Sequence, residues 1–185
     1  MKRKNVISQV TREQSSPEVL AAREAHEAQG YRITNMKETL LHNVVAFEAL
    51  EGGSYAVGAE LTKHISKRAK TIFGYAISNG NKCLICGNYF KKLVADLGIT
   101  DFDDFEFTEE ESDLLAFAEA LAADPNHVPD EVYEKLQARY DEETMVLLVT
   151  SAVFTLANNY WNNIVGTKLD EYLYPYYDGD LDEVK

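Results

Sequence analysis

The chain has 185 residues, 45% of them hydrophobic, enough to bury one sizeable core and short for two ordinary domains. Its 31 acidic residues outnumber 18 basic ones, and the formal charge of -13 repels phosphate backbones and anionic bilayers. Nucleic acid and membrane surfaces are therefore excluded as partners unless a local basic pocket overrides the overall field.

The start, MKRKNVISQVTREQ, has no apolar run of signal-peptide length, which leads to the expectation of a cytoplasmic protein with residues 1–14 as a flexible arm. SSPEVLAAREAHEA then reads as a helix, with Ser16 as cap, Pro17 at the first helical position, Glu18 in the first turn and Gly30 as the stop. Asn35 is expected to cap NMKETLLHNVVAFEAL, where Met36, Leu40, Val44, Phe47 and Leu50 make an apolar stripe that Gly52 and Gly53 break. A short segment from Tyr55 to Leu61 precedes KHISKRAKTIFGYAIS, whose Ile65, Ala69, Ile72, Phe73 and Ala76 face inward. The turn-rich SNGN ends it, and the next helix runs from near Asn81 to Leu97, with Gly98 as its stop.

Thr108 and Glu111 have capping-box spacing ahead of LLAFAEALAA, and Glu109, Glu110 and Glu111 read as first-turn charges. Pro125 and Pro129 punctuate before DEVYEKLQARY, and DEETMVLLVTSAVFTLANNYWNNIVG is the longest helix. Its apolar stretch from Thr144 to Ala157 is too short to span a bilayer and reads as a core helix. No stretch alternates as a strand, so the expectation is an all-α domain of about seven helices over residues 15–174, followed by an acidic tail at 175–185.

The chemistry is concentrated in SNGNKCLICGNYF, residues 78–90, which holds both cysteines of the chain, Cys83 and Cys86. On a helix, Cys83, Cys86, Phe90, Leu93 or Val94, and Leu97 form one apolar stripe, so both sulfurs face the interior or a crevice at its edge. Three readings stay open. Cysteine packs well as a small buried hydrophobe. Two thiols in the first turn of a helix also lie where unpaired N–H groups favour a thiolate, and their spacing lets a disulfide close and reopen. A zinc site needs four ligands, and His26, His42, His64 and His127 stand at no zinc-finger spacing from the pair.

YAISNGNKCLICGNYF resembles the signature of the alkylhydroperoxidase-D-like branch of the carboxymuconolactone decarboxylase superfamily, in which a turn leads into CxxC. The likeness runs upstream through NMKETLLHN and downstream through KKLVADLGI, and covers residues 31–173 as one repeat of an all-helical fold. The resemblance implies a dithiol peroxidase or disulfide reductase assembled as dimers, trimers or hexamers. It gives Cys86 the role of attacking thiol and Cys83 that of resolving thiol, with no cofactor and no metal. Hydroperoxide or a small disulfide would be the substrate, and a dithiol or thioredoxin-like protein the reductant.

The family places a histidine four residues after its second cysteine and a glutamate twelve before its first, where this chain has Phe90 and Thr71. A phenyl ring accepts no proton, so another group must replace the relay. His64, Arg68, Thr71, Tyr75 and Ser78 share one helix face and offer a charge at Arg68 and a hydrogen bond at Tyr75; the same spacing also describes a solvated stripe. His64 lies about 10 Å along the axis from Thr71, too far to stand in directly. Asn158, Asn159, Asn162 and Asn163 around Trp161 either line a pocket or mark a fraying helix end or subunit contact. Tyr172, Tyr174, Tyr176 and Tyr177 beside Pro175 either clasp a neighbouring subunit or dock on their own domain. The alternatives to a redox enzyme are an oligomeric binding or structural protein with packed, reduced cysteines, and a lactone decarboxylase.

Overall fold

Six helices start at a side chain that accepts a hydrogen bond from the backbone N–H three residues on: Ser16, Thr34, Asn43, Ser66, Thr108 and Asp141. At a seventh the capping atom is the sulfur of Cys83. The computed structural model describes residues 5–99, 101–102 and 105–184 and, among these, holds no strand. Its nine α-helices are α1 (Pro17–Ala28), α2 (Asn35–Leu40), α3 (Val44–Phe47), α4 (Gly53–Leu61), α5 (Lys67–Gly80), α6 (Leu84–Asp96), α7 (Glu109–Ala123), α8 (Asp130–Arg139) and α9 (Glu142–Val165).

Two helices beyond the expected seven come from one segment. Thr34, not Asn35, caps α2, and the single helix expected through Leu50 breaks at Leu41, because the Asn43 side chain restarts the ladder by accepting from the Ala46 N–H. Gly52 and Gly53 do not break the chain either; a π-turn over Glu48–Gly52 carries α3 into α4. Gly53 permits a close approach, since a Cβ there would stand 2.5 Å from the Phe154 ring of α9. The Thr108–Glu111 capping box and the positive φ at Gly30 and Gly98 are present as expected.

α5 is the central helix. It packs against α7 on one side, α6 on another and α9 on a third, and buries Ala69, Ile72, Phe73, Ala76 and Ile77. Leu114, Phe117, Leu136 and Leu148 from α7, α8 and α9 close that core. α4 lies along α9. Among the described residues no helix is long and apolar enough to cross a membrane.

Both ends of the described chain run over the domain. The Val6 N–H donates to the Val165 carbonyl (2.8 Å) and the Val10 N–H to that of Glu38 (3.0 Å). At the other end, the Leu169 N–H donates to the Val184 carbonyl (3.0 Å). Leu169, Leu173 and Val184 pack against Cys83 and Ile85, so the tyrosine-rich segment docks on its own domain and covers the head of α6.

Candidate active site: the Cys83–Cys86 pair

The turn between α5 and α6 places the sulfurs. After Gly80 the backbone passes through Lys82 in the left-handed region (φ 52), and the Cys83 N–H donates to the Ser78 carbonyl at 3.0 Å. This reversal starts α6 at Cys83, whose Sγ accepts from the Cys86 N–H at 3.4 Å. Cys83 is buried and Cys86 half-buried, and no disulfide joins them.

α9 supplies the polar contacts. Asn162 is fully buried, and its amide nitrogen lies 3.4 Å from Cys86 Sγ, 3.2 Å from Met36 Sδ and 3.0 Å from the Asn158 carbonyl. Asn159, also fully buried, accepts from the Ser78 hydroxyl at 3.2 Å. Trp161 donates its ring N–H to Thr39 at 3.2 Å, which ties α9 to α2 on the same side. Of the asparagine cluster, Asn162 thus reaches the thiol pair from the inner face of α9 and Asn159 holds Ser78 beside it, while Asn163 is exposed.

Beside Met36 on α2, Lys37 is buried and makes a polar knot. Its ammonium donates to the Arg32 carbonyl (2.9 Å) and the Tyr55 hydroxyl (2.8 Å), and lies 2.9 Å from His26 Nε2 and 3.3 Å from the Glu51 carboxylate. Burial pulls the Lys37 ammonium down and pushes the Glu51 carboxyl up, while their mutual attraction opposes both shifts. Burial, then the Lys37 charge, depresses His26 to about 4. Tyr31 stacks on Tyr55 with ring centres 3.8 Å apart and closes the knot from outside.

The field of Glu51 reaches Cys86. The Cys86 thiol is held well above its ordinary value by its hydrogen bond to the Cys83 sulfur, then by burial, then by negative charge on Cys83 and, more weakly, Glu51; the Asn162 amide acts the other way. A nucleophile in this position needs a group that takes its proton.

Of the supporting residues expected from the sequence, Ser78 is brought to the pair through its carbonyl and its contact to Asn159. The others are engaged elsewhere. Arg68 donates to Glu111 at 2.8 Å and lies 4.8 Å over the Phe105 ring, Thr71 donates to the Lys67 carbonyl at 2.8 Å, and Tyr75 packs on Phe102 with centroids 4.7 Å apart. Phe90 packs on α5 at Gly74, where a Cβ would stand 2.4 Å from the ring. His64 contacts Thr144. Among the described residues no three His, Cys, Asp or Glu side chains group as a metal ion would require. Sequence reasoning missed Lys37 and Glu51: their segment also carries Glu38, His42 and Glu48, so nothing in its pattern singles out the pair.

An all-helical domain with a reduced thiol pair at the head of a helix, backed by buried amides, is thus the class of protein that fold and site define. No family model and no curated protein sequence matches the chain. Its fold is shared with solved structures of the debrominase Bmp8. The apo form superposes with a TM-score of 0.77 at 20% identity, covering 98% of this chain and 99% of that one. A cysteine-to-alanine variant of Bmp8 in complex with 2,3,4-tribromopyrrole superposes with a TM-score of 0.78 at 19% identity, covering 100% of both chains.

Proposed function

We propose that the chain is a dithiol reductase of a small organic oxidant, cycling Cys83 and Cys86 between two thiols and one disulfide. The supporting observation is the pair itself: Cys83 Sγ lies at the cap of α6 under the Cys86 N–H, and the Asn162 amide reaches Cys86 Sγ at 3.4 Å. Cys86, the less buried sulfur, meets the oxidant, and Cys83 resolves it. With a hydroperoxide, the Cys86 thiolate breaks the O–O bond, an alcohol leaves after protonation, and a sulfenic acid forms; Cys83 then displaces water to close the disulfide. A dithiol or thioredoxin-like protein returns the pair to its reduced form.

A second oxidant is supported by the debrominase that shares this fold over its whole length and binds tribromopyrrole as a cysteine variant. In that reaction a carbon–bromine bond is replaced by carbon–hydrogen and bromide leaves. The two electrons come from the thiol pair, which again ends as a disulfide.

Both oxidants are tested on the same protein. Reduced chain is mixed with cumene hydroperoxide or with 2,3,4-tribromopyrrole, and its mass is followed beside the alcohol or the dibrominated product. Loss of two hydrogens from the native chain is expected, with no turnover for Cys86→Ser and, for hydroperoxide, arrest at a sulfenic acid in Cys83→Ser. Equal behaviour of native and variant chains toward both compounds would leave the cysteines as packing residues.

A further inference from the structure

One face of α9 is built into the core, with Thr144, Leu148, Ala152, Asn159 and Asn162 buried along it. The opposite face is open: Val146 is 65% exposed, Val153 58%, Tyr160 50% and Ile164 75%. A helix at the surface of a domain ordinarily turns charged side chains outward. Thr144 through Thr167 include no Asp, Glu, Lys, Arg or His, in a chain of which 26% is charged. A row of large apolar side chains on an exposed face marks a docking surface.

The spacing of the row says what docks there. With the half-buried Thr150 and Ala157, the outward residues are Val146, Thr150, Val153, Ala157, Tyr160 and Ile164, at steps of 4, 3, 4, 3 and 4. This is the alternation of a coiled-coil seam, about 27 Å long. The steps read the same from either end. A second copy of α9 laid antiparallel therefore matches the first position for position, with Val146 opposite Ile164, Thr150 opposite Tyr160 and Val153 opposite Ala157. In the last two pairs a larger side chain meets a smaller one, as interdigitation requires. The Thr150 hydroxyl already donates to the Val146 carbonyl at 2.7 Å, so burying it strands no donor. No residue flanking the seam is charged, so the face offers nothing to a basic or acidic partner, and the net charge of -13 repels an anionic bilayer.

We propose that the outer face of α9 is a twofold interface with a second copy of this chain, the two helices crossing antiparallel at about 20°. The inference goes beyond the reductase reading and does not depend on it.

Sedimentation equilibrium of the full chain at low and high salt tests the interface. A particle of twice the chain mass is expected, and it should tighten with salt, because an uncharged seam joins two chains that repel each other. Val153→Glu brings an unmatched carboxylate into the seam from each copy and should raise the dissociation constant at least about a hundredfold. Leu97→Glu, at the exposed end of α6, should leave it unchanged. Orientation is read by mixing a Val146→Cys chain with an Ile164→Cys chain: mild oxidation should join these two residues across the mixed pair, and neither variant to itself. Because both changes are at exposed positions, this cross-link decides the matter even where Val153→Glu fails to fold. A monomer at every concentration, a dimer indifferent to Val153→Glu, or either cysteine variant cross-linked to itself overturns the proposal. Flotation of a monomeric chain with phosphatidylcholine vesicles would assign the face to a bilayer and overturn it equally.

Discussion

Two sides of α5 carry polar residues, and they do different work. On the α7 side, Arg68 and Tyr75 repeat at helical spacing, and the structure gives each a packing partner: Glu111 with Phe105, and Phe102. Toward α9, the polar groups come from segments far apart in the chain: Asn162 reaches Cys86 Sγ, Asn159 takes the Ser78 hydroxyl beside the pair, and Glu51, paired with Lys37, raises the Cys86 thiol. The difference teaches that a polar stripe along one helix reports that helix's own surface, whereas a reactive group is tuned by what the fold carries to it.

The largest expected effect lies on the sulfur side. Glu51→Ala leaves the buried Lys37 ammonium without its counter-charge and should cost about 3 kcal/mol in denaturant unfolding. The double variant Lys37→Met with Glu51→Leu should cost less than that single change, because both charges go together. A loss from Glu51→Ala no greater than that of an exposed pair would mean that water reaches the knot.

Next comes the contact that sets α6 against α5. Gly74→Ala pushes a Cβ into the Phe90 ring and should destabilise by about 1–3 kcal/mol. Adding Phe90→Leu should recover part of it, a coupling that only a direct clash produces. Additive losses would place the Phe90 ring away from Gly74.

Asn162→Leu sharpens the comparison through reactivity. Cys86 is held well above its ordinary value, so its thiolate fraction is small at neutral pH and grows tenfold with each unit of rising pH. The alkylation rate of Cys86 should therefore keep climbing through about pH 8.5, the value of a free thiol. Removing the Asn162 amide should move that curve to still higher pH and slow the neutral rate about tenfold, the lower end of what one hydrogen bond to a charged group contributes. A rate that levels off below the free-thiol value would show a sulfur activated by some other group.

Much of this architecture is local and could be read residue by residue. Ser16, the Thr108–Glu111 box and glycines 30 and 98 act within a few residues of themselves, and each does what its chemistry predicts. The break at Leu41 and the continuity through Gly52 and Gly53 were not legible, because both depend on outcomes beyond local propensity: a restart at Asn43, and a Phe154 ring arriving from a helix about one hundred residues later. The cysteines could be found because their spacing is itself the signal. Asn162 could be placed only as one of two alternatives, and the ion pair of Lys37 with Glu51 was out of reach, since it joins α2 to the π-turn across the break at Leu41 and the whole of α3.

The smallest expected effect tests the α7 side directly. The Arg68 side chain is 38% exposed and its partner Glu111 only 4%, so the pair lies at the edge of the core, where water screens most of its attraction. Glu111 also keeps the Thr108 N–H at 2.9 Å when the guanidinium is removed, so its carboxylate is not stranded. Arg68→Ala should therefore cost no more than about 1 kcal/mol, part of it from lost contact with Phe105. The pH dependence of Cys86 alkylation should be unchanged, because the guanidinium's hydrogen bond and its ring contact are both made away from the sulfurs. A slower alkylation in Arg68→Ala would make that arginine a long-range source of positive potential at the thiol pair, and the division between the two sides of α5 would fail at that residue.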